Sequence, residues 1–155
     1  MNKTQVFQSA CKAVENIIEE NRERDSALLK ICEVLHEKID YYDWVGFYLV
    51  DPNADRELVL GPYVGEATDH TRISFGQGIC GQAAETEETF VIQDVSKEDN
   101  YLACGLSVKS EIVVPVFKDG QVVAELDIDS SVLEPFSEED RVAMEKIAKL
   151  ASVLF

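Results

Sequence analysis

The sequence predicts an α+β fold in which helices pack on a central, mainly antiparallel sheet. Apolar residues recur at helical spacing from Val6 to Ile39, short apolar runs separated by turn residues follow from Trp44, and helical spacing returns near the C-terminal end. With 155 residues and no linker, repeat or low-complexity stretch, one domain spanning 1–155 is expected.

The first predicted helix carries Val6, Phe7, Ala10, Cys11, Val14, Ile17 and Ile18 on one stripe, and the second carries Leu28, Ile31, Cys32, Leu35 and Ile39. The polar joint "NRERD" separates them. Cys11 and Cys32 fall on the apolar stripes and read as core fillers. "WVGFYLV" then reads as a strand closed by the turn residues of "DPNAD", with "RELVL" as its hairpin partner. "TRISF" and "TFVIQDV" are further strand candidates, and between them "GQGICGQAAETE" carries three glycines before turning helix-like. "SEIVVPVF" and "QVVAELDID" form the clearest hairpin, because the Asp-Gly between them suits a tight turn that needs positive φ. Pro115 removes a ladder donor and predicts an edge or an irregularity. Ser137 and Asp140 have the spacing of a capping box, opening a helix with the stripe Ala143, Ile147, Leu150, Ala151 and Leu154.

The balance of 30 acidic against 14 basic residues, a formal charge of −16, argues against nucleic acid or an anionic membrane as partner. The N-terminal stretch has no secretory apolar run and no segment approaches a membrane span, so a cytoplasmic location is expected. No metal or cofactor is expected. Cys-x-x-Cys pairs are absent, and His36 and His70 have no ligand-like spacing. His36 falls on the polar side of its helix and reads as solvated.

The stretch "VVAELDIDSSV" alternates Glu125, Asp127 and Asp129 with apolar residues, so on a strand the three acids share one face. They form either an ordinary solvated face or a site for something cationic; two Asp residues inside a strand, where Asp is a poor former, favour a reason beyond solvation. Cys80 in "GQGICGQ" and Cys104 in "NYLACGLS" lie in glycine-containing segments that suit a reacting thiol as well as two small buried side chains. Trp44 and Tyr48, four apart on a strand, share a face.

Taken together and in order, "DWVGFYLV", "GPYVGE", "RISFGQGICGQA", "QDVSKEDNYLAC", "SEIVVPVFKDGQVVAELDIDS" and "FSEEDR" resemble the free methionine-(R)-sulfoxide reductases, single-domain enzymes of the GAF fold. The resemblance implies thioredoxin-dependent reduction of free L-methionine (R)-sulfoxide in the cytoplasm by a homodimer. It assigns Cys104 as nucleophile and Cys80 as resolving cysteine, with no cofactor. Trp44 and Tyr48 match the aromatic wall of the pocket, and Glu111, Asp127 and Asp129 match the acids that hold the substrate. Glu125 matches none of these positions and reads as a structural or surface acid. One departure stands out: many members carry a third cysteine where this chain has His70, which puts the resolving step on Cys80 or on an outside thiol. The principal rival is a non-catalytic GAF domain that senses a small molecule, since fold alone does not decide function. A peroxide-scavenging thiol enzyme is a further rival, but it gives the acids and aromatics no role.

Overall fold

The computed structural model describes residues 1–21, 23–102 and 107–155. Two helices, α1 (Lys3–Glu20) and α2 (Arg24–Lys38), precede the strands β1 (Trp44–Val50), β2 (Glu57–Val64) and β3 (Arg72–Ser74). Helix α3 (Gly78–Thr86) leads to β4 (Phe90–Ile92), then the hairpin β5 (Ser110–Lys118) and β6 (Gln121–Ser130), and helix α4 (Glu138–Ala151) follows. The strands form one sheet in the order β3-β2-β1-β6-β5-β4, with every neighbouring pair antiparallel. The expected α+β architecture is the one observed.

Alternation along the three central strands gives the sheet two unlike faces. On one face Val45, Phe47, Ile112, Val114, Val116, Ala124, Leu126 and Ile128 join the core with the stripes of α1, α2 and α4. Each fully buried side chain of this size contributes about 1.5–3 kcal/mol, so this face holds the helices in place. Cys11 and Cys32 lie in that cluster, as their stripes require. The second face carries Trp44, Tyr48 and Val113 and is covered by α3 through Ile79, Cys80, Ala83 and Ala84.

The β5–β6 turn is Asp119-Gly120, with φ of 51° and 78°. Positive φ at both central residues is the type I′ geometry that matches strand twist and pins the hairpin register. A side chain at Gly120 would meet no atom within 4 Å, so glycine is there for its backbone angle. Pro115 lies on a central strand, but β4 pairs only with Glu111 to Val113, so the proline stands beyond the end of its short neighbour. The "TFVIQDV" stretch thus yields only a three-residue strand.

Helix α4 opens with the expected capping box between Ser137 and Asp140. Asp140 also accepts hydrogen bonds from Tyr41 Oη at 2.7 Å, Tyr42 Oη at 2.8 Å and Lys3 Nζ at 2.8 Å, joining α1, α4 and the approach to β1. Burial pushes its carboxyl up, but the bonds from Lys3, the Ser137 backbone and the two tyrosines outweigh this and hold it below the ordinary value. His36 is exposed, as expected, with Nδ1 2.9 Å from the Tyr42 carbonyl. Among the described residues no helix is long and apolar enough to cross a membrane.

Candidate active site

The face under α3 is an array set by strand register. Along β1 run Trp44, Gly46 and Tyr48; opposite them on β6 stand Asp129, Asp127 and Glu125. On the far side of β6, β5 places Glu111 opposite Asp129, Val113 opposite Asp127 and Pro115 opposite Glu125. All four acids are buried, with Glu111 3%, Asp129 1%, and Asp127 and Glu125 0% exposed. The solvated-face reading is therefore overturned, and Glu125 is no surface acid. Sequence alone missed its burial because alternation cannot show whether a face is covered, and α3 covers this one.

Cys80 occupies the first turn of α3, where the sequence left a glycine-containing segment before the helix. Gly81 permits that placement: a side chain there would press within 2.5 Å of the Ser74 carbonyl, at the end of β3. The Cys80 thiol approaches Glu111 Oε2 at 3.9 Å. Cys80, Glu111 and Asp127 each offer a ligand atom within 4.8 Å of the others, and all three are buried. A thiolate and two carboxylates are a donor set that can hold a divalent metal, so the cluster suits cations generally. The N-terminal end of α3 favours negative charge on sulfur, whereas the carboxylates oppose it.

The Asp127 oxygens make no well-aligned hydrogen bond to a described residue. Burial is the largest influence on Asp127 and raises its pKa, while side-chain hydrogen bonding from Glu111 and Cys80 works against it. Glu125 is pushed well above the ordinary carboxylate range, first by burial and then by the neighbouring Asp127.

The aromatic side is equally ordered. Trp44 stacks on Tyr48 at 6.4 Å between ring centroids and on Tyr63 of β2 at 5.3 Å. Trp44 Nε1 donates to the Glu66 carbonyl at 2.9 Å, and Tyr48 Oη donates to the His70 carbonyl at 2.8 Å. Gly46 lies beneath this stack, and a Cβ there would overlap both the Trp44 ring and Tyr63. Tyr63 was not singled out from the sequence; its place in "GPYVGE", on the strand paired with β1, was the available signal. A small cavity of about 60 Å³ adjoins Asp129, bordered by Trp44, Glu66, Ser107 and Val108.

Cys104 lies outside the described residues. Its described flanks border the site. Leu102 packs where a side chain on Gly78 would stand, at the start of α3, and Ser107 lines the cavity beside Asp129. A larger depression of about 530 Å³ lies between α1 and α4, lined by Phe7, Cys11 and Val142, and contains none of the clustered acids or aromatics.

The GAF domain family matches residues 23–155. The chain is 33% identical over 155 residues to the free methionine-R-sulfoxide reductase of Escherichia coli, spanning 99% of this chain and 92% of that protein. It belongs to the free methionine-R-sulfoxide reductase family of GAF domains. The reductase of the same name from Saccharomyces cerevisiae is 41% identical over 109 residues, 70% of this chain and 60% of that protein. Among solved structures, the free methionine-R-sulfoxide reductase of Neisseria meningitidis in complex with its substrate superposes with a TM-score of 0.94 at 36% identity, covering 100% of this chain and 91% of that chain. Membership in the reductase family favours an enzyme over a sensor.

Proposed function

We propose that this chain reduces free L-methionine (R)-sulfoxide to L-methionine by a thiol cycle. The observation that carries the reading is the buried array itself: four carboxyls and a thiol facing an aromatic stack, on a fold matching reductases over nearly its full length. An isolated buried carboxylate is costly, and a ligand ammonium is the counter-charge such a face needs. An amino acid in a peptide has lost that charge, so the same acids reject it.

In this reading Glu111, Asp127 and Asp129 hold the ammonium and supply a proton, while Trp44 and Tyr48 enclose the methyl sulfoxide end. Cys104 is the nucleophile. Its thiolate attacks the sulfoxide sulfur, two electrons pass to that sulfur, and the oxygen leaves on the cysteine as a sulfenic acid after taking up a proton. Cys80 then condenses with the sulfenic acid, releasing water and forming a disulfide, which thioredoxin reduces. A single-domain cytoplasmic homodimer completes the proposal.

The deciding assay follows reductant consumption with thioredoxin recycling on free L-methionine (R)-sulfoxide, its (S) epimer and an N-acetylated analogue. Activity confined to the free (R) form and abolished in Cys104→Ser supports the reading. Comparable activity on the N-acetylated compound, or consumption of peroxide at a similar rate, would refute it.

A further inference from the structure

Five carboxyls are buried among the described residues, Glu111, Glu125, Asp127, Asp129 and Asp140, and no lysine, arginine or histidine is buried with them. Asp140 shows how this chain keeps a structural acid: it accepts from Lys3 and from the hydroxyls of Tyr41 and Tyr42. Asp127 is treated differently. It is 0% exposed, and neither of its oxygens meets a well-aligned donor among the described residues. A buried polar group left in this way calls for a reason, and a seat for a cation supplies one.

Two further donors converge on this carboxylate. One atom each from Cys80, Glu111 and Asp127 lie within 4.8 Å of one another, and Cys80 Sγ stands 3.9 Å from Glu111 Oε2. Sulfur and oxygen ligands sharing one tetrahedral Zn²⁺ at ordinary bond lengths are separated by about 3.5 Å, so a contraction of about 1 Å would close all three on one ion. Their backbones hold them in place. Glu111 on β5 is the diagonal neighbour of Asp127 across the hairpin register, and Cys80 occupies the first turn of α3 above them. A thiolate among carboxylates is a borderline-soft donor set, which selects Zn²⁺ or Co²⁺ over Mg²⁺ and Ca²⁺.

We propose that Cys80, Glu111 and Asp127 form a binding site for one borderline divalent cation, Zn²⁺ or Co²⁺, with water completing the coordination. Metal and amino-acid substrate exclude each other there, because Glu111 and Asp127 are also the acids assigned to the ammonium. That exclusion rests on the reductase reading; the metal site itself does not. The bound ion takes the Cys80 sulfur as a ligand, so the same event withdraws the proposed resolving thiol. The cation is an inhibitor and no part of the catalytic cycle: nothing is oxidised or reduced when it binds, and a chelator releases it.

The test titrates the reduced, metal-free full chain with Co²⁺ and follows its absorption, because a thiolate ligand gives Co²⁺ a charge-transfer band. The expected result is one Co²⁺ per chain, displaced by Zn²⁺ and not by Mg²⁺. Cys80→Ser should abolish the band and Cys32→Ala should leave it intact. Asp127→Asn and Glu111→Gln should each weaken binding by more than the roughly 10–100-fold that loss of a group behind a ligand costs. Circular dichroism of every variant separates lost ligation from lost folding, and the three ligand variants lie in three elements, so one that fails to fold leaves the others to decide. No Co²⁺ bound by wild type, a band that survives Cys80→Ser, or unchanged affinity in both carboxyl variants would overturn the site. Free L-methionine (R)-sulfoxide should displace the bound ion, and Zn²⁺ should raise its KM until a chelator is added; an active enzyme in which neither occurs would overturn the exclusion. Turnover in a chain that binds no metal would sink this proposal and leave the reductase reading standing, whereas a metal-binding chain inactive on every sulfoxide would do the reverse.

Discussion

Glu111 and Asp129 stand directly opposite each other on β5 and β6, both buried and both within the face that α3 covers. Both are among the acids proposed to hold the substrate ammonium and to supply the proton. Glu111→Gln and Asp129→Asn are therefore expected to lower turnover at saturating substrate, by about 100-fold or more where the substituted acid donates the proton. Steady-state kinetics on both variants decides it: if only KM moved in each, neither acid would have a part in the proton step.

The space under the aromatic stack is already full. Gly46→Ala would drive a methyl group into Trp44 and Tyr63, and overpacking of this kind costs about 1–3 kcal/mol. The expected result is a lower melting temperature together with a raised KM, because the ring that moves is part of the proposed substrate wall. A variant with wild-type melting and KM would mean that the strand can give way without disturbing Trp44.

The buried cysteines should separate sharply in behaviour. Burial foremost, then the charge of Glu33, pushes the Cys32 thiol well above its ordinary range, and its Sγ rests 3.7 Å from the Pro62 carbonyl. Such a thiol is inert. Mass spectrometry after alkylation of the folded protein should find Cys32 unmodified, and Cys32→Ala should cost about 1 kcal/mol in stability while leaving kcat alone. Cys80→Ser should instead stall after one turnover with thioredoxin as reductant. Sustained turnover in that variant would assign resolution to an outside thiol.

Stability should depend on pH from two directions. Asp140 has a depressed folded pKa, so its contribution is present above the unfolded carboxylate value and is lost as pH falls through the folded value. Glu125 has a raised one: the folded state holds a proton that the unfolded chain has released, and stability falls as pH rises from the ordinary carboxylate range toward the folded value. Thermal melts across pH should show Asp140→Asn weaker by about 2–3 kcal/mol near neutrality with a flatter acid limb. Glu125→Gln should be at least as stable as wild type near neutrality, and a less stable variant there would contradict the sign of that linkage.

Much of this architecture was legible from residue spacing. The helical stripes through Val14 and Ile31, the Asp-Gly turn and the Ser137 box are local signals, and local rules read them correctly. The acids were visible as a row, but their burial depended on α3, an element far from β6 in sequence, and periodicity carries no information about what lies above a face. For the same reason the stack of Trp44 on Tyr63 and the convergence of Lys3, Tyr41 and Tyr42 on Asp140 were out of reach: each joins residues separated by at least 19 positions. Cys80 fell between these cases, since its segment was marked by glycines while its seat in a helical turn depended on contact with Ser74.

The two-residue turn at Asp119-Gly120 decides more than the shape of one hairpin. Because side chains alternate with period two, sliding β6 by a single position against its neighbours would exchange its rows, sending Glu125, Asp127 and Asp129 toward the helices and Leu126 and Ile128 toward Cys80. A one-residue slip would therefore upset the fold and the proposed chemistry together. Between the turn and the acid row the pairing already shifts by one residue, Phe117 facing Val122 but Val116 facing Ala124, so turn and bulge together set which residues of β6 meet the helices and which meet Cys80.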